Sequence, residues 1–122
     1  LRMPVEKIEA NPRVREDIGK AAIMRGPLVY CLEEADNGKD LHRIRLAEQE
    51  GWEVCYEPDL LCGVVTISAM GEVQNQTDWE EDTLYRPFAR ERYEPKRLKW
   101  IPYYAWANRA EGEMLVWIRN LA

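Results

Sequence analysis

The chain has 122 residues, enough for one domain and no more. With 46% hydrophobic and 32% charged residues it excludes the disordered class, and a domain of this size buries roughly two-thirds of its unfolded surface without a disulfide or metal staple. A net charge of −5 argues against nucleic acid or an anionic membrane as partner, and no apolar run approaches the ~20 residues of a membrane-spanning helix.

In chain order, the dominant hydrophobic period is two, the signature of strands with one face on a core. Met3–Ala10 reads as a strand ending at the Asn11-Pro12 turn signal. Arg13–Met24 reads as a loop leading into a strand, because Gly19 and Gly26-Pro27 interrupt any helix. Pro27–Leu32 and Leu61–Met70 are continuously apolar and rich in Val and Ile, as central strands are. In Leu41–Leu46, His42, Ile44 and Leu46 alternate with Arg43 and Arg45. In Trp52–Glu57, Trp52, Val54 and Tyr56 alternate with Glu53, Cys55 and Glu57. Trp100–Asn108 is extended, with Pro102 suggesting an edge or a bulge. Glu113–Asn120 places Met114, Val116 and Ile118 on one face and Leu115, Trp117 and Arg119 on the other. About seven short strands predict an all-β fold, an antiparallel, jelly-roll-like β-sandwich forming a single domain over residues 1–122.

Gly71–Arg97 breaks this spacing. Its 27 residues include 12 charges, Pro87 and Pro95, so it reads as a long loop. It carries Trp79, Tyr85, Phe88 and Tyr93, which suit a packed interface better than a linker.

Chemistry is thinly supplied. Glu33-Glu34 and Trp79-Glu80-Glu81-Asp82 offer carboxylates, but sequence neighbours do not face each other across a cleft as glycoside hydrolysis requires. His42, the one histidine, has no nucleophile or acid partner at telling distance and reads as a core or edge residue. Cys31, Cys55 and Cys62 lack metal-ligand spacing and read as small buried hydrophobes, so no catalytic residue, no metal site and no cofactor is assigned. Unpaired thiols and the lack of a visible signal peptide favour the cytoplasm. Aromatics remain: five Trp and six Tyr against one Phe. Trp100, Tyr103, Tyr104 and Trp106 crowd one segment, either as a sugar-stacking platform or as a structural strand facing core and neighbouring domain. Ala105 and Ala107 between them favour the structural role.

Two long motifs carry a resemblance. One is Ile101-Pro102-Tyr103-Tyr104-Ala105-Trp106-Ala107-Asn108-Arg109 with Gly112-Glu113-Met114 and Val116-Trp117. The other is Arg25-Gly26-Pro27-Leu28-Val29-Tyr30-Cys31-Leu32-Glu33, after Met3-Pro4-Val5 and Asn11-Pro12-Arg13-Val14. From Met3 to Ile118 the chain resembles the C-terminal domain of glycoside hydrolase family 127, the β-L-arabinofuranosidase-like family of long bacterial enzymes. Ala110 stands where that family commonly has a glycine.

The resemblance implies a parent protein with an N-terminal (α/α)6 barrel that performs catalysis, a middle β-sandwich, and this domain last. It also implies a cysteine nucleophile and a zinc ion held by cysteines and a glutamate, all in the barrel, so none of those roles passes to Cys31, Cys55 or Cys62. Beginning at Leu1, the chain is expected to be a piece of such a protein. The expected role is non-catalytic: bracing the barrel or a homodimer interface, with Trp79, Tyr85, Phe88, Tyr93, Trp100 and Tyr104 as interface residues. The alternative is a carbohydrate-binding module for arabinose-containing glycans. An autonomous enzyme has little support.

Overall fold

The computed structural model describes residues 3–46, 51–61, 63–75, 82–87, 92–105 and 112–120. Among them it forms β1 (Val5–Ile8), β2 (Lys20–Arg25), β3 (Leu28–Glu33), a one-turn helix α1 (Glu34–Asn37), β4 (Ile44–Leu46) and β5 (Glu53–Glu57). These are followed by β6 (Val64–Gln74), β7 (Tyr93–Pro102), β8 (Met114–Leu115) and β9 (Ile118–Asn120). Three 3-10 turns, Arg15–Asp17, Leu41–Arg43 and Tyr103–Ala105, complete the elements.

The domain is all-β and mostly antiparallel, as its sequence period requires. Hydrogen bonds link all nine described strands into one sheet. That sheet closes on itself through β2, β9, β4, β6, β7 and β3, because β3 also pairs with β2. All pairings are antiparallel except β4 with β9. Closure leaves unpaired edges to the short flanking strands rather than to the ring. β1, β5 and β8 flank the ring, each sharing an edge with a ring strand.

Alternation then selects the core. Ala21 and Ile23, Tyr30 and Leu32, Ile44 and Leu46, Ile67 and Ala69, Leu98 and Trp100, and Ile118 all point inward, joined by Leu41. Cys31, Val64, Ile101 and Ala105 form a second cluster with Leu60, Leu61, Met114 and Val116. Tyr30, Leu32 and Trp100 belong to the first cluster while Cys31 and Ile101 belong to the second, so β3 and β7 are buried on both faces. That is why Pro27–Leu32 reads as a continuous apolar run rather than an alternation.

Backbone conformation fixes one glycine and crowding fixes another. Arg25 pairs with Leu28, leaving Gly26-Pro27 as a two-residue hairpin loop, with Gly26 at φ +59°. A Cβ there would stand 2.6 Å from Met3 Sδ. Gly71 lies against Leu98, and a Cβ would also meet the Arg45 carbonyl at 3.1 Å.

Several expectations need correction. The loop over Gly71–Arg97 is shorter, because β6 runs on to Gln74 and β7 begins at Tyr93, in register at Gln74 and Tyr93. The sequence signal was lost because Pro95 and five charges, Glu72, Arg92, Glu94, Lys96 and Arg97, mark this end of the hairpin, where Glu94, Pro95 and Arg97 are exposed. His42 is exposed in a 3-10 turn, since the period-two pattern starts only at Ile44. Val54 and Tyr56 are exposed because β5 pairs with β6 alone and extends beyond the ring. For the same reason Cys55 is exposed, unlike the buried Cys31, and Cys62 lies outside the described residues. Pro102 is neither edge nor bulge: it closes β7 opposite Tyr30 and is buried. In Glu113–Asn120 the faces do not alternate throughout, since Leu115 and Ile118 both pack on the first core across the Val116-Trp117 bend.

Candidate interaction surface

The four described members of the expected interface set stand in different environments. Trp79 and Phe88 lie outside the described residues. Tyr85 is 90% exposed and Tyr104 64% exposed, so both are available to a partner. Trp100 is fully buried, which corrects its assignment to an interface. Its parity decides this: Trp100 is in register with Leu32 on β3 and Ile67 on β6, both inward. It packs edge-on against Trp52, with centroids 5.6 Å apart and planes at 70°.

Tyr93 is half-buried for a different reason. The Arg45 guanidinium lies 3.3 Å from its ring centroid while Arg45 Nε is held by Glu72 Oε1 at 2.9 Å. Arg119 Nη1 donates to the Tyr93 hydroxyl at 3.3 Å. Cross-strand register produces the cluster, placing Arg45 beside both Glu72 and Arg119. The arrangement is a cation–π stack closed by an ion pair, an internal tie on the sheet surface.

Several of the described carboxylates are likewise occupied, while the candidates Glu80 and Glu81 lie outside the described residues. Glu57 pairs with Lys99 at 2.9 Å and accepts from Thr66 Oγ1 at 2.7 Å. Glu53 pairs with Arg97. Glu113 accepts from the backbone N–H groups of Asp40 at 2.7 Å and Leu41 at 3.2 Å, fastening the start of the second 3-10 turn. Glu33 is buried at the end of β3, and Glu34 Oε1 accepts from the Glu113 backbone at 3.4 Å, so these neighbours serve separate local contacts. Tyr30 is the buried phenol: it donates to the Val65 carbonyl at 2.9 Å, and burial pushes its pKa up against the opposing pull of Arg25.

A zinc site does not fit the thiols described. Cys31 stands beside Ile101 on β7 and Cys55 beside Thr66 on β6, so three inter-strand spacings, about 14 Å, separate them. Among the described residues no three His, Cys, Asp or Glu side chains group as metal ligands.

Two surface grooves flank the first 3-10 turn. One, of about 570 Å³, runs along β1 and the start of β2 and includes Lys7, whose ammonium donates to Asn120 at 3.1 Å. The other, also about 570 Å³, is lined by Val29, Tyr103 and Met114 through Trp117, together with Asp17 and Lys20. Asp17 and Lys20 line both grooves. Ile18, 62% exposed, lines the first groove and is the sequence neighbour of the shared Asp17. Sequence reasoning missed this surface. Pro102 was the available signal, since it ends the ladder and releases Tyr103 and Tyr104 into an exposed turn.

Comparison with known proteins gives a consistent result. The sequence pattern of the glycoside hydrolase family 127 C-terminal domain matches residues 5–119. A non-reducing end β-L-arabinofuranosidase of Bifidobacterium longum subsp. longum is 44% identical over 98% of this chain and 19% of its own length. The crystal structure of a GH127 β-L-arabinofuranosidase from Geobacillus stearothermophilus T6 superposes with a TM-score of 0.91 at 49% identity, over 97% of this chain and 18% of that one. A second solved GH127 β-arabinofuranosidase gives 0.80 at 34% identity, over 97% and 17%. The chain thus spans less than a fifth of the length of these relatives.

Proposed function

Since the chain belongs to the glycoside hydrolase family 127 C-terminal domain family, we propose that it is the non-catalytic accessory domain of a β-L-arabinofuranosidase-like parent and braces the catalytic part of that protein. One observation carries this reading: the whole fold recurs at a TM-score of 0.91 as 18% of a larger hydrolase. A closed ring with two cores is stiff, and a stiff domain is suited to holding a neighbour in place.

On this reading the reaction on arabinofuranosides, the nucleophile and the zinc ion belong to the preceding helical barrel, with a middle β-sandwich between. Neighbouring domains and a second subunit are the partners proposed. The side chains of this domain contribute position and stability rather than proton transfer.

The test removes the domain from the parent. Deleting the segment equivalent to residues 5–119 should shorten the parent's half-life at elevated temperature. Purified domain supplied with zinc should not hydrolyse aryl arabinofuranosides. Turnover by the domain alone, lost on mutating one of its residues, would overturn the reading, as would a deleted parent of unchanged half-life.

A further inference from the structure

We propose that the apolar groove between Tyr103 and Trp117 is the seat of the preceding part of the same polypeptide, with exposed Ile18, beside the shared Asp17 in the adjoining groove, as a second anchor. This rests on the bracing role and assigns that role to one face.

The lining has the chemistry of a protein interface. Val29, Met114, Leu115 and Val116 are apolar, Tyr103 and Trp117 aromatic, and the charged groups are confined to Asp17 and Lys20. An apolar centre with aromatic and Met anchors and a charged rim is how proteins bury one another. A furanose ring, by contrast, needs several hydrogen-bonding groups converging on its hydroxyls, and this lining is mostly apolar. Tyr103 and Ile18 are 46% and 62% exposed, which leaves apolar surface to be covered.

The occupant follows from where the rest of the protein lies. More than four-fifths of each relative is outside the matched region, and the matched region is the C-terminal domain, so the missing mass precedes this chain. That polypeptide arrives at β1, beside the groove. Met3 packs over Gly26 at the β2–β3 turn, and Glu6 pairs with Met24, which pairs with Val29 in the groove lining. Two inter-strand spacings, about 10 Å, thus separate the arriving strand from Val29. A domain tethered there meets this face at high effective concentration, so even a modest contact is populated.

The experiment is oxidative footprinting of the full-length parent, with thermal inactivation read in parallel. In the wild-type parent, Tyr103, Met114 and Trp117 should be shielded. Combining Tyr103→Glu with Ile18→Glu should unshield Met114 and Trp117 and shorten the inactivation half-life by about tenfold, the scale of losing an interface anchor. Trp100 serves as the folding control, because it is buried in the domain's own core and oxidises only if the domain unfolds. Should the double variant expose Trp100, the wild-type footprint alone decides.

Groove residues that react freely while Tyr85 or Tyr104 is shielded would overturn this assignment and leave the bracing role standing on another face. Free reaction of all of them, with no loss of half-life on deleting the domain, would overturn both. Shielding that appears only on adding arabino-oligosaccharides would replace the protein occupant with a sugar.

Discussion

Asn37 and Lys99 are joined as though they were partners in a ladder. The Asn37 side-chain oxygen accepts from the Lys99 backbone N–H at 2.9 Å, and its Nδ2 donates to the Lys99 carbonyl at 2.9 Å. The same nitrogen donates to the Glu33 carbonyl at 3.0 Å. One buried amide therefore replaces a neighbouring strand where α1 leaves the sheet. Asn37→Leu fits the volume but strands both Lys99 backbone groups, and each unsatisfied buried group costs about 1–3 kcal/mol. A loss of about 2–4 kcal/mol in denaturant midpoint experiments is expected. Asn37→Asp should be as harmful at pH 7, where a carboxylate cannot donate, and should recover part of the loss near pH 4, where a protonated carboxyl can. An unchanged midpoint for Asn37→Leu would show that Lys99 finds other partners.

Trp100 and Tyr104 separate core from surface within five positions. Trp100→Ala should destabilise by about 3–5 kcal/mol through lost burial and the cavity left beside Trp52. Tyr104→Ala should stay within about 0.5 kcal/mol, as surface changes do. Chemical denaturation of the two variants checks the contrast, and equal losses would refute it.

The strand-bearing half of this result was legible in the sequence. Ala21 and Ile23, Ile44 and Leu46, and Ile67 and Ala69 sit inward as a period of two demands. Ring closure was not legible, because β3 meeting β7 and β9 meeting both β2 and β4 depend on long-range pairing that no local pattern encodes. Nor could alternation distinguish β5 from a ring strand: Val54 and Tyr56 have the correct parity but no strand beyond them. Trp100 was legible as an aromatic strand residue, yet its face follows from its register with Leu32. The groove was hidden for the same reason, since Val29, Tyr103 and Trp117 are distant in sequence.

Tyr30 links stability to alkaline pH. Burial raises its pKa in the folded protein above the ordinary value near 10, so the unfolded chain ionises first as pH rises. Its contribution is fully present below pH 10 and is lost as pH climbs towards the folded pKa. Tyr30→Phe should remove this part of the alkaline slope. It also deprives the Val65 carbonyl of its donor, so about 0.5–1.5 kcal/mol should be lost at pH 7. Urea midpoints from pH 7 to pH 11 would show it, and an identical slope in the variant would rule it out.

The Arg45–Tyr93 stack invites a graded test. Tyr93→Phe keeps the ring beneath the guanidinium and removes only the long 3.3 Å bond from Arg119, so the change should fall below about 0.5 kcal/mol. Tyr93→Leu keeps apolar bulk but removes the π face, and should cost a further ~0.5–1 kcal/mol at this partly exposed site. Glu72→Gln leaves the ring in place while weakening the clamp on Arg45 Nε, and its effect should shrink in 1 M salt, where the Debye length is about 3 Å. A double-mutant cycle between Arg45→Met and Tyr93→Leu isolates the stack from burial. Coupling indistinguishable from zero would mean that the two side chains are merely adjacent. Coupling that survives high salt would identify the ring face, rather than the Glu72 carboxylate, as what holds Arg45 against the sheet.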